Sequence, residues 1–200
     1  VTAFDVGLSG AECRLELDGG DDVPLPVDRW HEDPNAADHV LLDACHGPTI
    51  DLGCGPGRMV AALARRGIVA LGVDNSPVAV ALTRTRGGAA LHRDVFGRLP
   101  GAGRWAHVLL ADGNIGIGGD PVVLLRRARG LLHGRGSVLV EVEPPGCGLR
   151  RERARVDGGP WFDWARVDAT AVTPTAARAG LKPRWLTARD GRWFTELVRS

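Results

Sequence analysis

Hydrophobic and polar positions follow two periods along this chain and exchange several times. Thr49-Ile50-Asp51-Leu52 is a short apolar run, and Ile68 to Val73 is a continuous one, of the kind buried on both faces of a sheet. Between them, Gly57 to Arg66 carries Ala and Leu at helical spacing and is stopped by Gly67. Ser76-Pro77 opens a second helix in cap-then-first-turn order, and Gly87 closes it. Ala89 to Arg93 and Trp105 to Ala111 predict a third and a fourth strand. Asp120-Pro121 caps a helix whose apolar residues (Val122, Leu124, Leu125, Ala128, Leu131, Leu132) recur at helical spacing until Gly134. Ser137 to Val142 predicts a fifth strand. Strands alternating with helices predict a doubly wound α/β fold, with a parallel sheet covered on both faces.

The two ends depart from that alternation. Leu181 to Arg189 and Arg192 to Val198 flank Asp190-Gly191, a strong hairpin signal. Arg150 to Val156 and Trp161 to Val167 flank Asp157 to Pro160, which predicts another hairpin, inserted at about residues 149–168. Residues 1–47 are more weakly patterned. Val23 to Val27 is extended, because each proline disfavours helix at the residue before it. Asp33-Pro34 predicts a helix running to about Cys45, with Asp33 as its cap. We divide the chain into an N-terminal segment, 1–47, as a candidate lid, and a main domain, 48–200.

Composition narrows the class. A chain of 200 residues, 44% hydrophobic and 24% charged, is one globular domain. Its net charge of +1 predicts no strong attraction to nucleic acid. The charge is uneven: residues 1–47 hold eleven acids and two arginines, while 48–200 hold thirteen acids and twenty-three bases. The acidic segment could therefore dock on the basic remainder. No apolar run approaches the roughly 18 residues of a membrane span. The opening Val-Thr-Ala-Phe-Asp lacks a basic region leading into an apolar one, so no secretory signal is expected. Cysteines at 13, 45, 54 and 147 form no CxxC pair, which argues for reduced thiols in a cytoplasmic protein rather than a zinc or redox motif.

Candidate chemistry gathers where strands end. Gly53-Cys54-Gly55-Pro56-Gly57 follows the first strand, and glycines there let a backbone turn sharply and approach a ligand closely. Asp51 precedes this loop by two positions. Arg58 stands where a dinucleotide fingerprint takes its third Gly or Ala, which disfavours a nucleotide-dependent oxidoreductase. Asp74 closes the second strand, 23 residues after Asp51. A carboxylate there can accept both hydroxyls of a ribose, or else serve the N-terminus of the helix that opens at Ser76. The loop Asp112 to Asp120 holds four glycines in nine residues, which suits a backbone packed against a ligand. Within it Asp112 and Asn114 are site candidates, and Asp120 is a cap. Glu141 and Glu143 share one face of the fifth strand. Glu143 is a candidate base or an ion-pair partner. His31, with an ordinary pKa of about 6.5, is another candidate base. Arg151, Arg153 and Arg155 alternate along the inserted hairpin, either as an exposed face or as a cap preferring an anion.

Thr49-Ile-Asp-Leu-Gly-Cys-Gly-Pro-Gly57, followed by Gly72-Val-Asp-Asn-Ser-Pro77, resembles the class I S-adenosylmethionine-dependent methyltransferases. The likeness is nearest to small bacterial enzymes with a ubiquinone-biosynthesis-type domain, and it covers about residues 45–145. The resemblance implies a Rossmann-like, seven-stranded mixed sheet with an antiparallel C-terminal hairpin. It implies S-adenosyl-L-methionine as cofactor and says almost nothing about substrate; we expect a small-molecule methyl acceptor and no metal. Asp51 with Gly53, Cys54, Gly55 and Gly57 would face the methionine half. Asp74, Asn75 and Ser76 would hold the ribose, and Asp94 and Val95 the adenine. Ala111, Asp112, Gly113 and Asn114 would border the transferred methyl. His31, Asp112 and Glu143 are the candidate catalytic residues. Base-modifying relatives carry Pro-Pro directly after the residue matching Asn114, and this chain does not. A non-catalytic binding protein and an enzyme acting on RNA or protein remain the alternatives.

Overall fold

In the computed structural model, which describes residues 2–200, the chain opens with short elements that its pattern barely announces. These are α1 (Asp5–Leu8), β1 (Arg14–Leu17), β2 (Asp22–Pro24) and α2 (Val27–His31), followed by α3 (Asp38–Ala44). The alternation then begins: β3 (Thr49–Leu52), α4 (Arg58–Arg65), β4 (Ala70–Asp74), α5 (Pro77–Thr85), β5 (Ala89–His92) and β6 (Trp105–Leu110). A 3-10 turn at Asn114–Gly116 leads to α6 (Pro121–Leu131) and β7 (Leu132–Val142). Last come β8 (Leu149–Val156), β9 (Phe162–Val167), α7 (Val172–Arg178), β10 (Leu181–Arg189) and β11 (Arg192–Arg199).

The main sheet has seven strands in the order β10-β11-β7-β6-β3-β4-β5. Strands β3 to β7 run parallel, while β11 pairs antiparallel with β7, and β10 with β11. This is the mixed Rossmann-like sheet with an antiparallel C-terminal hairpin that the sequence predicts. The hairpin turns at Asp190 and Gly191, both at positive φ (51° and 76°), as a two-residue turn with the twist of its strands requires. Strand alternation divides the core. Leu109, Leu139 and Phe194 face α3 and α4, whereas Val108, Leu110, Val138 and Val140 face α6 and α7. Two helix starts are capped as expected: Ser76 Oγ accepts from Val78 N and Ala79 N, and Asp120 Oδ1 from Val122 N and Val123 N.

Two local readings need correction. Asp33 does not cap a helix; it is exposed and ion-pairs with Arg65, while α3 starts at Asp38. The turn is made by Asn35, whose Oδ1 accepts from Ala37 N and Asp38 N. Gly134 does not end α6. The helix stops at Leu131, and β7 already begins at Leu132, which is buried and pairs with Trp105. The inserted hairpin, β8 and β9, does form, but it joins the N-terminal strands in a second sheet of order β2-β1-β8-β9. Leu15 lies opposite Val156 and Leu17 opposite Ala154, so a boundary at residue 47 separates segments that share one sheet. Acidic side chains of the first segment do meet arginines of the remainder: Glu16 with Arg155, Asp21 with Arg166, Asp43 with Arg66. No helix among the described residues is long and apolar enough to cross a membrane, and all four cysteines are free.

Candidate functional site

A cavity of about 670 Å³ opens over the C-terminal ends of β3, β4 and β6, with the loop after β5 on its wall, where open α/β sheets take their ligands. The second sheet and the segment before it roof the cavity. Its lining includes Asp51, Gly53, Cys54, Gly55, Asp74, Asn75, Asp94, Val95, Ala111, Asp112 and Asn114 among the predicted residues. Gly57, Ser76, Gly113, His31 and Glu143 do not line it.

The glycine loop is held from three sides. Gly53 and Gly55 stand at positive φ (76° and 51°). Asn114 Nδ2 donates to the carbonyls of Gly53 (2.7 Å) and Leu52 (3.1 Å), so this side chain is occupied in shaping the loop. Gly57 has φ 81°, and a Cβ there would lie 2.5 Å from Thr83, which explains a glycine away from the cavity. Asp74 closes the third side: its Oδ2 accepts from Gly55 N (3.0 Å) and its Oδ1 from Ser76 N (2.9 Å). Burial pushes the Asp74 carboxyl up, against the pull of those two N–H groups. Ser76 Oγ in turn donates to Asp5 Oδ1, which ties α1 to this end of the cavity.

Asp51 differs from its neighbours. It is only 3% exposed, and its carboxylate accepts no hydrogen bond among the described residues, yet it lines the cavity. Burial pushes it up to about 7; Arg58 opposes the rise, and the charges on Asp112 and Asp74 add to it. A buried carboxylate without a donor is costly unless a cationic or hydrogen-bonding ligand supplies one.

Behind Asp51 lies a network of charges that sequence spacing gave no means to assemble. Arg58, only 4% exposed, donates through Nη2 to Asp38 Oδ1 (2.9 Å) and to Asp112 Oδ2 (2.8 Å). Arg192 donates to both oxygens of Glu141 (2.7 Å each) and to Asp38 Oδ1 (2.8 Å). Glu141 Oε2 also accepts from the backbone N of Asp112 (2.8 Å). Arg29, on α2, reaches across to Asp112 Oδ1 (2.9 Å). The backbone of Asp112 is left-handed, at φ 52°, and its carboxylate is shared between Arg58 and Arg29. So placed, Asp112 ties the roof to the sheet; burial pushes its carboxyl up, while Arg58 and Arg29 pull it back down.

The other candidate bases stand aside. His31 Nε2 is hydrogen-bonded to the carbonyl of Gly7 (3.2 Å), and Glu143 is exposed beyond the end of β7. Arg151 pairs with Asp120, and Arg155 with Glu16, so the arginine stripe is an outer face. The inner wall is aromatic: Phe4, Trp30, Phe162 and Trp164 line the cavity, with ring centroids 5.5–6.4 Å apart. Single aromatic residues scattered through weakly patterned segments carry no periodicity, so their convergence was invisible in sequence. The loop glycines answer to this wall. A Cβ on Gly116 would lie 2.1 Å from the Ala165 carbonyl oxygen, and one on Gly118 would lie 2.7 Å from Phe96.

Residues 50–140 match the model of a methyltransferase domain family. No curated protein matches the chain in sequence. Among solved structures, the chain is similar to an S-adenosylmethionine-dependent methyltransferase from Bacteroides fragilis in complex with S-adenosyl-L-homocysteine. The TM-score is 0.80 at 20% identity, covering 99% of this chain and 92% of that one. It is also similar to 1,6-didemethyltoxoflavin-N1-methyltransferase from Burkholderia thailandensis (TM-score 0.65, 19% identity, 86% and 81% covered) and to the CcbJ methyltransferase from Streptomyces caelestis (0.67, 16%, 86% and 95%). At these identities the likeness establishes the fold.

Proposed function

We propose, from the premise that this chain carries a class I S-adenosylmethionine-dependent methyltransferase domain, that it transfers a methyl group to a small molecule held under the aromatic roof. One observation carries the reading: Asp51 lies buried and without a donor in the same cavity as Asp74, with the glycine loop between them. That pair suits a ligand with an ammonium group at one end and a ribose at the other.

The residues present fit S-adenosyl-L-methionine. Asp51 would accept from its ammonium group, and Arg58, whose Nη1 makes no hydrogen bond in the network, would face its carboxylate. Asp74 has lone pairs left for two ribose hydroxyls after accepting from Gly55 and Ser76. Asn75 would flank the sugar, while Asp94, Val95 and Phe96 would border the base. A cavity of about 670 Å³ sits within the roughly 300–1,000 Å³ of small-molecule sites. When bound, the cofactor supplies an electrophilic methyl carbon whose bond to sulfur breaks with its electron pair left on sulfur. The chain's own task is to align the acceptor with that carbon and to keep water away. Alignment is worth roughly 7–11 kcal/mol.

The roof supports a small acceptor over a polymer. Residues 2–30 and strand β9 stand between the cavity and solvent, and Arg29 and Asp5 fasten them to Asp112 and Ser76. We extend the lid reading accordingly: the roof is the N-terminal segment together with the inserted hairpin. Calorimetric titration with S-adenosylmethionine, S-adenosylhomocysteine and NAD tests the proposal. Saturable binding of the first two, and none of NAD, is expected. Binding of NAD alone would overturn it.

A further inference from the structure

The acceptor side of the cavity offers an anion no free cation. Five carboxylic acids line the cavity as a whole (Asp51, Asp74, Asp94, Asp112, Asp163), against one guanidinium, Arg58. Arg58 is engaged by Asp38 and Asp112, at the methionine end. Arg29 is paired with Asp112, Arg151 with Asp120, and Arg155 with Glu16, so none of these arginines is free to meet an anion. The remaining wall is made of rings. Trp164 lies over the loop that borders the transferred methyl, since a Cβ on Gly116 would be 2.8 Å from its Cε2 and one on Gly113 3.9 Å from its Cζ2. Phe4 and Phe162 stand 5.9 and 6.1 Å from it, and Trp30 stands 6.4 Å from Phe4.

Resting on the methyl-transfer reading, we propose that the acceptor is a planar ring bearing a nitrogen nucleophile, bound neutral or protonated but reacting unprotonated, and not an anion. Ring faces favour a flat partner and attract cations. The charge that develops during reaction decides the atom. A neutral amine gains positive charge as its lone pair forms the bond to the methyl carbon and the carbon–sulfur pair returns to sulfur. Ring faces lower the energy of that developing ammonium. Its proton then passes to water. An amine nucleophile therefore needs no imidazole, in keeping with His31 standing outside the cavity. A carboxylate or phenolate acceptor would instead enter as an anion with no free cation to meet it, at a desolvation cost the ring wall does not offset.

The test uses the intact chain saturated with S-adenosylhomocysteine and a matched series of probes: indole, tryptamine and indole-3-acetate. Binding is read by quenching of tryptophan fluorescence and by calorimetry. Tryptamine is expected to bind at least roughly tenfold more tightly than indole-3-acetate, with indole between them. Trp164→Leu should weaken tryptamine while S-adenosylhomocysteine still binds, which reports that the variant is folded. Equal or tighter binding of indole-3-acetate would overturn the proposal, as would failure of all three probes on a chain that binds S-adenosylhomocysteine. If S-adenosylhomocysteine itself does not bind, the underlying methyl-transfer reading fails, and this inference falls with it.

Discussion

Replacing Asp51 by Asn should make the ligand-free protein more stable and a poorer binder. In the fold, burial raises the Asp51 carboxyl from 3.8 to about 7. An acid whose folded pKa is raised loses stability as pH climbs from its unfolded value through its folded one. Above pH 7 the loss is complete. At about 1.4 kcal/mol per pKa unit, the buried charge costs on the order of 4 kcal/mol. Asparagine removes the charge but leaves a buried amide, whose missing partners cost roughly 1–3 kcal/mol. The net gain at pH 8 is then about 1–3 kcal/mol, and melting rises by roughly 2–4 °C for each of these. The advantage over wild type should shrink as pH falls towards 5, where Asp51 is protonated in the fold. The same change removes a charged acceptor for the ligand's ammonium, and so should weaken S-adenosylhomocysteine by roughly tenfold to a hundredfold. Calorimetry and thermal melts at pH 5.5, 7 and 8 read both effects. A variant that melts lower than wild type at pH 8, or binds as tightly, would refute the reasoning.

Two further outcomes follow from the same geometry. Asp112→Asn keeps the shape, and asparagine tolerates φ 52°, but it breaks the ion pairs to buried Arg58 and half-buried Arg29, so chemical denaturation should show a loss of about 2–3 kcal/mol. Rescue of stability by a second change, Arg58→Met, would mark the pair as structural. Gly116→Ala should push β9 away from the loop, because its Cβ would fall 2.1 Å from the Ala165 carbonyl oxygen. Faster amide exchange across Phe162–Val167, with α6 unchanged, is the expected sign.

The parallel core was legible because its signals are local. Ser76-Pro77 and Asp120-Pro121 announce helices by cap chemistry, and Asp190-Gly191 announces a hairpin by the φ its residues accept. The roof was not legible. Strand β1 is four residues long and exists because Leu15 and Leu17 find Val156 and Ala154, about 140 positions away. Arg58 read as a departure from a fingerprint; its partners Asp38 and Asp112 lie 20 and 54 positions off, beyond any periodicity. The glycines after β6 suit a close approach to a ligand by pattern, whereas the neighbours that Gly116 and Gly118 approach in the fold are β9 and Phe96. Asp51 and Asp112 looked alike in sequence. Only the fold tells them apart, since one carboxylate is held by two arginines and the other has no donor.

The most direct test is a crystal structure of the chain with S-adenosylhomocysteine. The account predicts Asp74 within hydrogen-bonding distance of both ribose hydroxyls, and the ligand's ammonium beside Asp51. Density for the ligand elsewhere, or a bound ligand whose ammonium and ribose ignore these two carboxylates, would contradict it.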